Sequence, residues 1–204
     1  MAAEPFHTLK EHLLRLGYQV SCFETAAEAA EHLDRVIDQQ TVGFGGSMTL
    51  EQMGLYERLS THNQVYWHHR VPQGSTSDDL RHKAGAASVY LSSVNAISEK
   101  GEIVNIDGTC NRIASIVYGH EKVYLIIGKN KMAPDLEQAI DRARNVAAPL
   151  NARRLGVQTP CALRADRCYD CQSPQRICRG LSILWNKPLG GEYEIILVRE
   201  ALGY

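Results

Sequence analysis

Strand-like and helical segments alternate along this chain, and that alternation limits the fold more than any other feature. "FHTLKEHLLRL" sets Phe6, Leu9, Leu13 and Leu16 on one helical face and stops at Gly17, after which "YQVSCF" reads as a strand. "TAAEAAEHLDRVIDQQ" opens with a capping box, Thr25 to Glu28, and turns Ala29, Leu33, Val36 and Ile37 inward. "TVGFGG" is a short strand running into a glycine turn, and "TLEQMGLYERLS" begins a helix with Thr49 and Gln52 as its capping pair. "QVYWHH", "SVYLSS" and the buried run "KVYLIIGK" are further strands, with a helix capped by Ser77 and the helix "CNRIASIVYG" between them. "AISEKGEIVNID" has two extended arms about Glu99-Lys100-Gly101, a hairpin signature. "APDLEQAIDRARNVAA" is a helix ending near Pro149, and "YEIILVREAL" is a closing strand that returns to the main sheet. Alternation on this scale predicts an α/β fold with a mostly parallel sheet, interrupted by one antiparallel hairpin. It predicts a single domain over residues 1–204, with a cysteine-rich segment, 158–180, inside it.

Composition narrows the class. At 204 residues and 44% hydrophobic content the chain can bury a core without disulfide staples. A formal charge of −1 gives no reason to expect nucleic acid as a partner. The longest apolar runs, such as "VYLII" and "IILV", are too short to span a bilayer, so no membrane is expected. "MAAEPFHTLKEHLLRLGY" carries charges throughout, unlike a signal peptide, and the expected location is cytoplasmic. Thiols stay reduced there, so clustered cysteines point to metal or redox chemistry before structural disulfides.

Two polar loops are candidates for binding a small anionic metabolite. In "TVGFGGSMTLEQMGL" a strand reaches Gly43, Gly45 and Gly46, then Ser47, then a helix start whose amides can face an anion. The loop would lie at the carboxyl end of a strand, where open α/β sheets hold ligands, although its spacing matches neither the P-loop nor the dinucleotide fingerprint. "SSVNAISEKGEIVNIDGTCNR" gathers Asn95, Asn105, Asp107, Gly108, Asn111 and Arg112 around turns. Glu99, Glu102 and Asp107 are its candidates for a nucleophile or general base. The same residues favour turns for local reasons alone. His68-His69 follows a strand and can approach the glycine loop, and Lys129 or Lys131 can neutralise an acidic ligand.

Cys161, Cys168, Cys171 and Cys178 are spaced C-x6-C-x2-C-x6-C. The central pair can grip one metal from a single turn, and the outer two can complete a four-thiolate shell. Four thiolates around Zn²⁺ or a [4Fe–4S]²⁺ core leave a double negative charge, which the six arginines at 153, 154, 164, 167, 176 and 179 would offset. Zinc and a [4Fe–4S] cluster both fit the pattern, as do free thiols and a redox disulfide between Cys168 and Cys171. Cys22 reads as core packing, and Cys110 sits beside the second polar loop.

"GFGGSMTLEQMGL", "SSVNAISEKGEIVNIDGTCNRIAS", "KVYLIIGKNKMAPDLEQAIDRARNVAAPLNARRL" and "TPCALRADRCYDCQSPQRIC" together resemble the LUD domain family, proteins associated with lactate utilisation and related to its protein C group. The resemblance runs from about residue 5 to 204, and the cysteine tail is similar to that of a short stand-alone branch. It implies a Rossmann-like sandwich similar to the CoA-transferase and ribose-phosphate isomerase group, with a ligand cleft lined by the loops at 43–47 and 95–112. It also implies a place in oxidation of L-lactate or another 2-hydroxy acid, as an accessory or ligand-binding component beside partner subunits that carry iron–sulfur clusters. A stand-alone enzyme acting on a phosphorylated sugar, nucleotide or CoA ester is the alternative. Apolar faces on the terminal strands suit a homodimer.

Overall fold

The computed structural model describes residues 6–204, so the first five residues of the stretch read for a signal peptide lie outside it. In chain order the strands are β1 (Gln19–Phe23), β2 (Thr41–Phe44), β3 (Gln64–Trp67), β4 (Val89–Ser93), β5 (Ala96–Ser98), β6 (Ile103–Asp107), β7 (Lys122–Gly128), β8 (Met132–Ala133), β9 (Gly180–Leu184) and β10 (Glu192–Val198). Six of them form a parallel sheet in the order β1-β10-β7-β4-β2-β3. The closing strand lies inside it, between β1 and β7. The other four make a smaller sheet, β8-β5-β6-β9, built on the antiparallel β5–β6 hairpin expected about Gly101.

Burial explains the apolar runs of the two central strands β7 and β10. On β7, Val123, Leu125 and Ile127 face one core cluster while Tyr124 and Ile126 face another. On β10, Ile195 and Leu197 alternate with Ile196 and Val198 in the same way. Strand side chains change face at each residue, so a sheet covered on both sides needs apolar residues throughout.

One face is covered by α2 (Ala26–Val36), α3 (Met48–Gln52) and α4 (Leu55–Leu59), through Leu33, Leu50, Leu55 and Leu59. The other is covered by Leu9 and Leu13 of α1 (His7–Arg15), Ala84 of α5 (Ser77–Gly85), Ile116 of α6 (Asn111–Val117) and the hairpin residues Ile97 and Ile103. The small sheet is backed in turn by Ala139 of α7 (Leu136–Arg142) and by Ala143. The result is a doubly wound, Rossmann-like α/β domain with a second small sheet laid on one face.

Three local expectations are corrected. The cap of α5 is Thr76, in a capping box with Asp79, and Ser77 is already helical. Ser47 caps α3, while Thr49 is buried inside it with its hydroxyl turned to Lys131 and the Leu202 carbonyl. The last long helix does not end at Pro149. It passes through a π-helical turn, Ala143–Ala147, into α8 (Ala148–Arg154), with α9 (Pro160–Arg164) beyond. Proline lacks the amide hydrogen that a regular turn would use, and the wider turn ahead of it accommodates that loss.

Candidate functional site

The chain winds outward from β2 to β3, then returns to β4 on the other side of β2 and continues through β7 to β10. The winding therefore reverses between β2 and β4, and ligands of open α/β sheets bind beyond the strand ends at such a point. A cavity of about 420 Å³ opens there. Gly46 and Ser47 after β2, His68 and His69 after β3, and Ser93 and Asn95 at the end of β4 line it. Asp107, Gly108, Asn111 and Arg112 come from the β6–α6 junction, and Lys131 from the turn after β7.

Arg112 organises this cleft. Its Nη1 donates to the Ser93 carbonyl at 3.0 Å and to Asn105 Oδ1 at 2.6 Å. Its Nη2 donates to Asn95 Oδ1 at 3.0 Å and to the Ile106 carbonyl at 2.7 Å. The side chain thus ties the end of β4 to β6, and its Nε lies 4.0 Å from Asp107 Oδ2. Burial pulls the guanidinium below the ordinary arginine value, with Asp107 opposing that shift. Asp107 also accepts the amides of Arg112 and Ile113, at 3.1 and 3.2 Å. Two amides at the start of α6 are thus bonded to the chain's own carboxylate.

Lys131 is 4% exposed. Its Nζ donates to Thr49 Oγ1 at 3.0 Å and Ser93 Oγ at 2.9 Å. Burial, reinforced by Arg142 and Arg112, pulls it down to about 7. Burial likewise pulls His68 down to about 4, with His69 and Arg81 adding to the effect, and lowers His69. Near neutral pH the cleft therefore holds uncharged imidazoles beside a lysine in mid-titration. Arg81 of α5 and Arg154 of α8 complete the cationic lining, and Asp107 is the one carboxylate side chain among the described lining residues.

The residues singled out from the sequence divide into three groups. Gly46, Ser47, Asn95, Asp107, Gly108, Asn111 and Arg112 come together at the cleft. Gly43, Gly45 and Asn105 lie behind its wall: a Cβ on Gly43 would stand 2.3 Å from the Ala84 carbonyl, and one on Gly45 2.7 Å from Ser92 Oγ. Asn105 is fully buried as an acceptor for Arg112. Glu99 and Glu102 line neither this cavity nor the one described next. They sit on the β5–β6 turn, where the Glu99 carbonyl meets His12 Nδ1 and Glu102 accepts the Ser98 hydroxyl. Arg81 and Arg154 were missed. Ser77 with Arg81, and Asn151 with Arg154, share helix faces at i,i+4 and i,i+3, but only tertiary packing turns those faces to the cleft.

A second cavity, also about 420 Å³, is lined by all four clustered cysteines together with Arg144, Arg176 and Asp170. No disulfide joins the four, and among the described residues no three His, Cys, Asp or Glu side chains gather as a ready site for a metal ion. The Asp170 amide donates to Cys168 Sγ at 3.3 Å, Arg144 Nη2 approaches the same sulfur at 3.8 Å, and Arg176 holds the Cys171 carbonyl at 2.9 Å. Ile106, Ala148 and Ile177 line both cavities, so the two share a wall. Cys22 packs against the core, and Cys110 caps α6 in a left-handed conformation.

A parallel, doubly wound sheet with a cationic cleft at its switch point defines a Rossmann-like α/β protein. The chain belongs to the LUD domain family, whose sequence profile matches residues 7–198. A crystal structure of a DUF162 family protein from Deinococcus radiodurans is similar in fold, with a TM-score of 0.56 and 12% identity over 96% of this chain and 97% of that one. No curated protein matches the sequence. Among the described residues no helix is long and apolar enough to cross a membrane.

Proposed function

We propose that the cleft binds a small anionic metabolite of the 2-hydroxy-acid class, and that the protein serves as an accessory or ligand-binding component of L-lactate or related oxidation. One observation carries this reading: Arg81, Arg112, Lys131 and Arg154 line the cleft against a single side-chain carboxylate, Asp107. A bound carboxylate would restore the charge balance of Lys131, whose Nζ has two hydroxyls and, among the described residues, no acid as hydrogen-bond partners. The ligand's hydroxyl would find acceptors in Asp107 and the neutral His68. Family membership agrees with metabolite handling of this kind.

The volume favours a second reading. At about 420 Å³ the cavity has more room than a three-carbon acid fills, and it suits a phosphorylated sugar, a nucleotide or part of a CoA ester. Thermal-shift titration at pH 7 with lactate, sugar phosphates and acyl-CoAs separates the two. A ligand present at a hundred times its Kd stabilises by about 2.7 kcal/mol, or roughly 5–10 °C for a chain of this size. The first reading expects 2-hydroxy acids to give that shift and Arg154→Ala to reduce it. A shift from phosphorylated ligands alone replaces the first reading with the second, and no shift from any of them removes both.

A further inference from the structure

We propose that Cys161, Cys168, Cys171 and Cys178 ligate a single [4Fe–4S] cluster in the cavity that they line, against the wall of the anion cleft. The four come from separate places: Cys161 from α9, Cys168 and Cys171 from the following loop, and Cys178 from the approach to β9. The chain nonetheless brings all of them to one cavity. A mononuclear zinc site is closed: with Zn–S of about 2.3 Å its tetrahedral sulfurs stand about 3.8 Å apart and leave no space between them. A cavity of about 420 Å³ with thiols around its wall matches a polynuclear core that brings its own bridging sulfides.

The surroundings fit such an occupant. Arg144, Arg176 and Arg179 line the cavity against one carboxylate among the described residues, Asp170, so the double negative charge of a ligated cluster meets a cationic wall. Ile140, Ala148, Pro149 and Leu181 supply an apolar remainder. The Asp170 amide already points its hydrogen at Cys168 Sγ, a contact of the kind that tunes cluster potentials. Asp170 (φ 45°) and Ala165 (φ 53°) are left-handed, which curls the loop about the cavity. On ligation each thiol gives up its proton, and iron and sulfide come from the medium.

The placement matters as much as the ligands. Ile177, the residue before Cys178, lines both cavities. Its carbonyl would stand 2.9 Å from a Cβ on Gly108 of the cleft, and the Arg179 amide bonds the Asp107 carbonyl at 3.0 Å. The cluster site is therefore fastened directly to the β6–α6 loop.

The test is anaerobic purification of the full chain, followed by reconstitution with ferrous iron, sulfide and a thiol reductant. Expected are about four irons and four sulfides per chain and a broad absorption near about 400 nm that dithionite bleaches with the appearance of an EPR signal. Cys168→Ser and Cys171→Ser, checked for folding by circular dichroism, should each lose more than half of the iron, while Cys22→Ser retains it. Iron loading of the unmutated protein should also protect four of the six thiols from maleimide, a reading independent of any variant's folding. One zinc per chain in a colourless protein, a Cys168–Cys171 disulfide in the anaerobic protein, failure to take up iron, or iron retained in the folded Cys168→Ser variant would each overturn the proposal. None of these outcomes depends on what fills the cleft.

Discussion

The two cavities have the same volume and a common wall, yet they are built in opposite ways. The cleft stands on the carboxyl ends of β2, β3, β4 and β7, and Arg112 bonds its two sides together. The cysteine cavity depends on residues 165–179, which hold no helix or strand. That segment is secured by isolated bonds, such as the Arg176 amide to the Ser173 carbonyl and the Arg179 amide to Asp107. A site on strand ends has its shape set by the folding of the sheet. A site on a loop gains much of its definition from what it binds.

This contrast makes substitutions in the cleft wall global in effect and substitutions at the cysteines local. The largest change is expected from Arg112→Met. It removes the Arg112 donor from the Ser93 and Ile106 carbonyls and from the Asn95 and Asn105 side chains, of which the Ser93 carbonyl keeps the Ser92 hydroxyl and Asn95 the Ile106 amide, at a cost of about 3–5 kcal/mol. Thermal denaturation should show a Tm lower by roughly 10 °C or more, with β4 and β6 exchanging their amides faster. A Tm unchanged within 2 °C, roughly the effect of half a kcal/mol or more, would mean that the wall does not rely on this residue.

Lys131 gives a smaller effect with a definite sign. Its folded value of about 7 lies below the unfolded value of about 10.4. Between the two the unfolded chain binds more protons, so this residue makes stability rise with pH. Relative to Lys131→Met, the unliganded protein should gain about 1 kcal/mol from pH 7 to pH 8. Anion binding favours the charged amine, so affinity should fall about fivefold over the same interval and stay level in the variant. Parallel pH profiles for the two proteins would remove Lys131 from the ligand site.

The smallest effect belongs to Glu99→Gln. The side chain lies on an exposed turn away from both cavities, so stability should stay within about 0.5 kcal/mol and ligand affinity should not change. A loss of binding would restore Glu99 as a site residue.

The architecture was readable where local pattern and tertiary demand agree. The apolar run of β7 announced a buried strand, the closing strand returns to the main sheet, the Thr25–Glu28 capping box is present, and the hairpin turns at Gly101. Half of the cleft was readable because Gly46, Ser47, Asn95 and Asp107 sit at or just past strand ends, where this kind of sheet collects its loops. Arg81 and Arg154 were not, because nothing in α5 or α8 taken alone says which neighbour their faces will meet. Nor does local pattern show that Asp107, five residues before Arg112, takes two amides at the start of α6. Helix caps at 47 and 76 shifted by one or two residues from the sequence reading, since several adjacent hydroxyl residues can serve and packing selects among them.

The π-helical turn before Pro149 has a further consequence. Residues are spaced about 100° apart around a regular helix, so the extra residue held in that turn sets the angular phase of everything after it. In the phase adopted, Asn151 and Arg154 line the cleft while Pro149 and Ala152 line the cysteine cavity, and Ala148 lies on the boundary. A chain one residue shorter at 143–147 would rotate α8 by about a third of a turn and redistribute these side chains between the two chambers. One residue of slack in a single helix thus decides which chamber receives the Arg154 cation.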